Sequence, residues 1–173
     1  VALAAWVLGR PARICYSRSE SMRASTKRHP SDIWLTVGCD ETGRISGFVF
    51  DGIFNTGAYA SWGPTVANRV PIHASGPYVT KDYRANSVAV HTNAPPAGAF
   101  RGFGVPQSAV AQECAFDLLA EKLGMDRLAF RRLNALKNGV PTVTGQVFNS
   151  GVGIDDCFAA LEDSWHTAVA SVA

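Results

Sequence analysis

Residues 93–107 combine the residue types and spacing in this sequence that are best suited to chemistry. Three glycines, one arginine and two phenylalanines lie within the last ten of them. Glycine permits positive φ and a close approach of a ligand to the backbone, and the helix predicted to follow offers free N–H groups to an anion. Arg101 adds a planar cation, and Phe100 and Phe103 add flat apolar walls. The segment is therefore suited to hold an oxyanion or oxo group beside an aromatic substrate.

Two other interpretations of this segment differ in how well they fit. A nucleotide-binding loop does not fit, because neither GxGxxG after a strand nor GxxxxGK[ST] occurs. A tight glycine-rich turn that packs Phe100 and Phe103 into the core fits the spacing equally well. The spacing alone leaves this structural alternative open.

The elements predicted around this segment define an α+β fold, in which a long β-hairpin and further strands are followed by three helices. Residues 33–39 alternate in hydrophobicity, residues 40–43 have turn chemistry, and residues 47–54 return as a second strand with its phenylalanines in phase. The hairpin is so apolar that both of its faces are predicted to be covered. Residues 12–17 and 86–92 predict two further strands.

The three helices of the C-terminal half begin and end at recognisable residues. The pattern of residues 107–123 predicts a helix that ends at Gly124. It is predicted to be buried over most of its circumference, with Glu113, Asp117 and Glu121 on a solvated face. Asp126 is the predicted N-cap of the second helix, and Asp155 or Asp156 that of the third.

Two further segments carry weaker patterns. Residues 55–79 are rich in Gly, Pro, Ala and Ser and predict irregular structure with one or two helical turns. Residues 1–8 predict the second half of a buried helix that ends at Gly9. A helix that begins in its middle favours a chain cut from a longer one.

The composition is that of an ordinary globular chain, with 173 residues, a net charge of +2, 47% hydrophobic and 17% charged residues. This balance excludes a disordered chain and gives no reason to expect nucleic acid or an anionic membrane as the main partner. No apolar run reaches the roughly 18 residues that a membrane span requires. One domain with a substantial core is predicted.

Cysteines and histidines show no spacing typical of a metal or redox site. No CxxC, CxH or HxxxH pair occurs, which gives no support to zinc or thioredoxin-type sites. The cysteines, at positions 15, 39, 114 and 157, have apolar neighbours. This predicts reduced, packed thiols and favours the cytoplasm. The four histidines, His29, His73, His91 and His166, are expected to be surface or hydrogen-bonded residues.

Residues 98–107, with the sequence GAFRGFGVPQ, resemble the FRGFGxPQ loop of the molybdenum hydroxylases, the xanthine dehydrogenase and aldehyde oxidase family. Further segments are similar to the molybdenum-binding subunits of that family and occur in the same order; they are residues 8–13, 18–22, 28–30, 55–59, 130–134 and 144–146. The resemblance extends over about residues 1 to 160. It implies that residues 1–173 form part of a larger molybdopterin-binding domain.

The resemblance also implies roles for individual residues. The backbone at Arg101 would lie against the molybdenum centre, with Phe100 and Gly102 beside it as cofactor-binding residues. Phe103 would pack on the substrate ring, and Arg69 would help to orient the substrate. For Arg69 the alternative is a surface arginine on a loop. No direct metal ligand and no catalytic residue is expected within this chain.

The reaction implied by the resemblance inserts water-derived oxygen at an electron-poor carbon of an N-heterocycle or an aldehyde. Its cofactor is molybdenum–molybdopterin, and electrons leave through 2Fe-2S and FAD on partner chains or domains. Two family motifs are missing, a GFGGK-type loop expected upstream and a Gly-Glu pair, with the general base, expected downstream. The chain alone is therefore expected to be inactive and to need the remainder of the molybdopterin-binding subunit.

Three alternatives to this assignment differ in how well they fit. The carbon monoxide dehydrogenase branch is disfavoured, because no Cys lies within ten residues of Gly102 and Phe103. A truncated or split module with a structural or interaction role, and no catalysis, is the main competing hypothesis. A plain anion-binding domain is the third and requires phosphate or sulfate to bind at residues 98–107.

Overall fold

The computed structural model describes residues 1–172, which form a three-stranded sheet and six helices. In chain order the elements are α1 (Ala2–Leu8), α2 (Arg18–Ala24), β1 (Ser31–Cys39), β2 (Ile45–Gly57), α3 (Gly63–His73), β3 (Asp82–His91), α4 (Val105–Leu123), α5 (Arg127–Asn134) and α6 (Ile154–Ala170). The sheet order is β1-β2-β3, with β1 antiparallel and β3 parallel to β2. The predicted α+β class and the hairpin are confirmed.

The hairpin buries one face only. Phe48, Phe50 and Phe54 of β2 are fully buried and contribute to a core shared with α3, α4 and α5. On the opposite face Trp34 is 58% exposed, and Ile53 is exposed as well. The prediction that both faces are covered is wrong for the described residues, because α3, α4 and α5 all pack against the phenylalanine face. An antiparallel pair with one wet face is an ordinary arrangement.

Helix α3 occupies a region predicted to be mostly irregular. Pro64 lies in its first turn, where a missing N–H costs nothing. Pro71 lies inside the helix and cannot donate to the carbonyl of Ala67. The hydroxyl of Ser87 on β3 donates to that carbonyl instead, at 2.8 Å. A partner from a neighbouring strand thus makes a proline-containing helix possible, which no local pattern could indicate.

The N-terminal predictions are partly wrong. Residues 12–17 form no strand; instead Ser17 and Glu20 form a capping box that starts α2. Helix α1 ends at Gly9 in a left-handed conformation, as predicted. None of its residues is buried, however, and Trp6 is 82% exposed, because no other described residue packs over this face.

Helix α4 ends at Gly124 as predicted but buries a single stripe rather than most of its circumference. The buried residues, Ser108, Gln112, Phe116 and Ala120, are four apart, while Val110 and Leu118 are exposed. The Phe116 ring lies edge-on to Phe130, with centroids 5.6 Å apart. Packing on one side only, against the sheet, α3 and α5, leaves the remaining apolar residues uncovered.

Two smaller predictions also differ from the structure. Asp126 caps α5 as predicted, through the amide of Ala129. Helix α6 instead has Gly153 at its N-cap, with both predicted aspartates inside the first turn, where they favour the helix dipole. The cysteines carry free thiols, but positions 15, 114 and 157 are exposed rather than packed. No helix formed by residues 1–172 has the length and apolarity to cross a membrane.

Candidate functional site

The 98–107 loop leads from the end of the sheet region through a sharp turn into the first turn of α4, which begins at Val105. Gly102, Phe103 and Gly104 follow one another with φ of 90°, 46° and 97°. Positive φ is ordinary for glycine but strained for phenylalanine. A Cβ on Gly104 would lie 2.8 Å from Cγ2 of Val70 and 3.0 Å from the carbonyl oxygen of Val66. Glycine is therefore needed where α3 packs directly against the loop.

The entry to this loop is fixed by backbone hydrogen bonds. The amide of Ala97 donates to the carbonyl of Thr56 at 3.0 Å, and the amide of Gly98 donates to the carbonyl of Lys27 at 3.0 Å. Gly57 has positive φ, and a Cβ there would lie 2.4 Å from the carbonyl oxygen of Pro95, just before the loop. The loop is thus held between the end of β2 and the segment before β1.

Arg28 contacts the loop through three groups. Its guanidinium donates through Nη2 to the carbonyl oxygen of Arg101 and through Nη1 to Oε1 of Gln107, the latter at 3.2 Å. The same guanidinium lies 4.8 Å from the ring centroid of Phe100. Gln107 in turn donates to the carbonyl of His29 at 3.3 Å. Residue-by-residue reasoning missed Arg28, although the Arg-His-Pro motif that contains it was available as a signal.

Four of the five predicted site residues are brought together by this turn. Phe100 is 46% exposed, so the alternative in which both phenylalanines pack into the core is wrong for this ring. Arg101 and Gly102 are exposed, and Phe103 is half-buried with its ring edge-on to Trp62, centroids 6.2 Å apart. Trp62 is a further aromatic neighbour that the sequence interpretation did not identify.

Arg69 is the fifth predicted site residue, and it lies outside this turn. It is exposed on α3, a helix, whereas the structural alternative placed it on a loop. No hydrogen bond or ion pair to another residue of the range 1–172 fixes its side chain.

Backbone donors are available on the outer edge of the turn. The amides of Phe103 and Val105 are used inside the loop, at 2.8 and 2.9 Å from their acceptors. Among the described residues, no acceptor receives the amides of Arg101 and Gly102, and both residues are exposed. Two free N–H groups beside an arginine side chain suit an anion or a metal-bound oxo group.

His29 lies beneath the loop and differs from its prediction. It is only 3% exposed, and neither ring nitrogen has a hydrogen-bond partner in the part of the chain that the structure describes. Burial lowers the pKa of this imidazole. The nearby backbone of Gly63 partly offsets this effect, and the positive charge of Arg28 lowers the pKa further. The imidazole is therefore neutral at pH 7. The prediction of a surface or hydrogen-bonded histidine is wrong for His29.

The carboxylates of α4 also differ from their prediction. Glu113 and Asp117 each lie 2.8 Å from Nη2 of Arg131 on α5, in a cluster that we call the α4–α5 seam (Glu113, Asp117, Arg131). The predicted solvated face is wrong for these two residues, because α5 supplies their cation. No three His, Cys, Asp or Glu residues in the range 1–172 gather into a group that could hold a metal ion.

Comparison with known proteins identifies the class. Residues 1–135 match the molybdopterin cofactor-binding domain family. The chain is 43% identical over 145 residues to the nicotinate dehydrogenase large molybdopterin subunit of Eubacterium barkeri, covering 84% of this chain and 34% of that subunit. It is 41% identical over 136 residues to a probable xanthine dehydrogenase subunit of Bacillus subtilis, covering 79% and 18%. The structure of aldehyde oxidoreductase from Desulfovibrio gigas matches with a TM-score of 0.89 and 30% identity, covering 98% of this chain and 19% of that one.

Fold and loop together define a molybdopterin-binding domain. The chain belongs to the molybdopterin cofactor-binding domain family of the molybdenum hydroxylases, which confirms the resemblance found in the sequence. It spans about a third or less of the length of these relatives. Their names are those of dehydrogenases and an oxidoreductase, and the cofactor of the family is molybdopterin.

Proposed function

We propose that this chain supplies the 98–107 loop to the cofactor site of a molybdenum hydroxylase that oxidises an N-heterocycle or an aldehyde with water-derived oxygen. The observation that carries the proposal is the exposed pair of unused amides at Arg101 and Gly102, on a loop held by Arg28. Preorganised donors of this kind stabilise negative charge without reorganisation. The relatives named for nicotinate and xanthine favour the N-heterocycle.

The loop residues divide this work between cofactor and substrate. Arg101 and Gly102 present backbone donors to the cofactor, and Phe100, stacked on Arg28, closes that side of the loop. Phe103 orients a planar substrate, with Trp62 against its ring. Arg69 helps to orient the substrate. When bound, the molybdenum–molybdopterin cofactor supplies the two-electron oxidation.

The remaining parts of the enzyme lie outside these residues in this proposal. Residues 1–173 are a partial molybdopterin-binding domain, completed by a GFGGK-type loop and a Gly-Glu segment of the same subunit. Electrons pass to 2Fe-2S and FAD on partner chains or domains, and the assembly works in the cytoplasm on a small-molecule substrate. The chain alone is inactive because the general base is not among its residues.

Metal and pterin content test the proposal. The chain is purified alone and again after co-expression with its genomic neighbours, and molybdenum is measured by elemental analysis. We expect molybdenum and pterin in the co-expressed sample only. Molybdenum in neither sample would contradict the proposal.

The competing function is a structural or interaction module without catalysis. The observation in its favour is the uncovered apolar surface of α1 and of the outer sheet face, where Trp6 and Trp34 are exposed. This module would join the neighbouring gene products in the co-expressed sample without bringing molybdenum, so the same measurement separates the two functions.

A further inference from the structure

We infer that Arg28 is a positioning residue, which sets the orientation of the Arg101 carbonyl and the Phe100 ring and thereby the cofactor-facing edge of the loop. This inference rests on the proposed function of the loop. It adds a residue outside the loop, 73 positions before Arg101, to the parts that build the site.

The geometry of the guanidinium carries the inference. One planar group reaches two acceptors, the carbonyl oxygen of Arg101 and Oε1 of Gln107, while its face covers Phe100. A rigid planar fork can make these contacts together, whereas the compact ammonium of a lysine has no planar face to cover the ring while it donates. Within residues 1–172, no other side chain forms a hydrogen bond to the backbone of residues 98–104.

The backbone of the turn explains why it needs such a contact. Phe103 is held at a φ of 46°, a conformation that persists only where the surroundings over-determine it. The internal hydrogen bonds of Phe103 and Val105 close the turn, but the amides at its exposed edge, those of Arg101 and Gly102, have no acceptor among residues 1–172. Arg28 supplies the fixed point on the carbonyl side.

The charge of Arg28 supports the same role. No carboxylate of the described residues forms an ion pair with it, in contrast to Arg84, Arg127, Arg131 and Arg132. Its positive charge is therefore added to that of Arg101 at the loop, and it also lowers the pKa of the buried His29 beside it.

The test uses three variants in the co-expressed assembly, with retained molybdenum as the first measurement. Arg28→Gln removes the fork and the charge, Arg28→Lys keeps only the charge, and Arg23→Gln removes an exposed arginine of α2 as the matched control. After dialysis, we expect about tenfold less molybdenum in Arg28→Gln, an intermediate loss in Arg28→Lys and no change in the control. The paramagnetic resonance spectrum of the molybdenum that Arg28→Lys retains should be shifted, which a loss of stability alone does not produce.

Hydrogen exchange keeps the inference testable apart from the cofactor. The amides of Phe103 and Val105 should exchange about tenfold faster in Arg28→Gln than in the wild type and the control, while those of the buried stripe of α4 stay unchanged. Equal exchange in all variants, or an unchanged spectrum with full molybdenum in Arg28→Gln, would overturn the inference alone. A wild-type assembly without molybdenum would overturn the proposed function and the cofactor side of this inference, while exchange still decides whether Arg28 orders the loop.

Discussion

Two arginines hold two regions of this molecule in opposite ways. Arg131 in the α4–α5 seam is 16% exposed and lies 2.8 Å from carboxylate oxygens of both Glu113 and Asp117. In the part of the chain that the structure describes, Arg28 at the 98–107 loop has only neutral partners, a carbonyl, an amide oxygen and a ring. The seam pairs the charge of Arg131 within the protein, whereas the loop has a positive charge and two backbone amides that are unpaired among residues 1–172. This difference is what the proposed function of the loop requires, because unpaired donors can meet a ligand, whereas charges paired within the protein stabilise the fold.

Two neighbouring side chains also donate hydrogen bonds to the seam. The Tyr78 hydroxyl donates to Glu113 at 3.2 Å, and Gln112 donates to the same carboxylate oxygen at 3.3 Å. Burial and the adjacent charge of Glu113 raise the pKa of Tyr78 well above its usual range. The phenol therefore stays neutral at any ordinary pH and serves the seam as a hydrogen-bond donor.

The largest effect should come from removing the cation of the seam. Arg131→Met leaves two half-buried carboxylates without their partner, so we expect the free energy of unfolding to fall by about 2–3 kcal/mol. Urea denaturation measures the change. Arg127→Gln is the matched control, because Arg127 is more exposed and its pairs are longer, at 3.5 and 3.8 Å. Its loss should stay below about 1 kcal/mol, and equal losses would contradict a special role of the seam.

Substitution of Gly104 should destabilise the loop without changing its charge. Gly104→Ala places a methyl group against Val70 in a backbone conformation with φ of 97°, so we expect a loss of about 2 kcal/mol in unfolding free energy. Gly124→Ala is the control, because Gly124 has positive φ but no neighbour within 4 Å of a Cβ. Its loss should be about 1 kcal/mol. The same loss for both glycines would show that contact with α3 is not what restricts the loop.

A substitution of Phe103 tests whether the loop contacts the substrate. In the complete enzyme, Phe103→Ala removes the ring proposed to orient a planar substrate, so we expect kcat/KM for aromatic substrates to fall about tenfold, or about 1.4 kcal/mol. Steady-state kinetics with an aromatic N-heterocycle and with a small aliphatic aldehyde measure the effect, the aldehyde serving as control. Unchanged kinetics on every aromatic substrate would remove this role from Phe103.

The smallest expected effect concerns pH and the buried His29. Its pKa is lowered in the folded chain, so the unfolded chain binds the proton first and stability falls as the pH drops below the unfolded value of about 6.5. We expect a loss of up to about 1 kcal/mol between pH 7.5 and 5.5, measured by urea denaturation. His29→Gln should flatten this dependence, and the same substitution at the exposed His73 is the control for loss of a histidine. An equally steep profile in His29→Gln would assign the dependence to other groups.

Local patterns were sufficient for much of the fold. Alternation along residues 33–39 predicts β1, and the capping residues Asp126 and Gly124 mark the ends of α5 and α4 correctly. Such signals depend on neighbours within a turn or a strand, and these are read from the order of residues alone. These local signals do not predict helix α3, because the hydrogen bond that compensates for its internal proline comes from Ser87 of β3.

The family and the composition of the loop follow from the order of residue types alone. Which faces are covered, and which charges find partners, was decided only by the tertiary structure. Arg131 meets Glu113 across 18 positions and Arg28 meets Arg101 across 73, distances at which sequence spacing carries no information on contact. The physical reason is that burial and pairing are properties of packed surfaces, and these exist only once the helices have docked on the sheet.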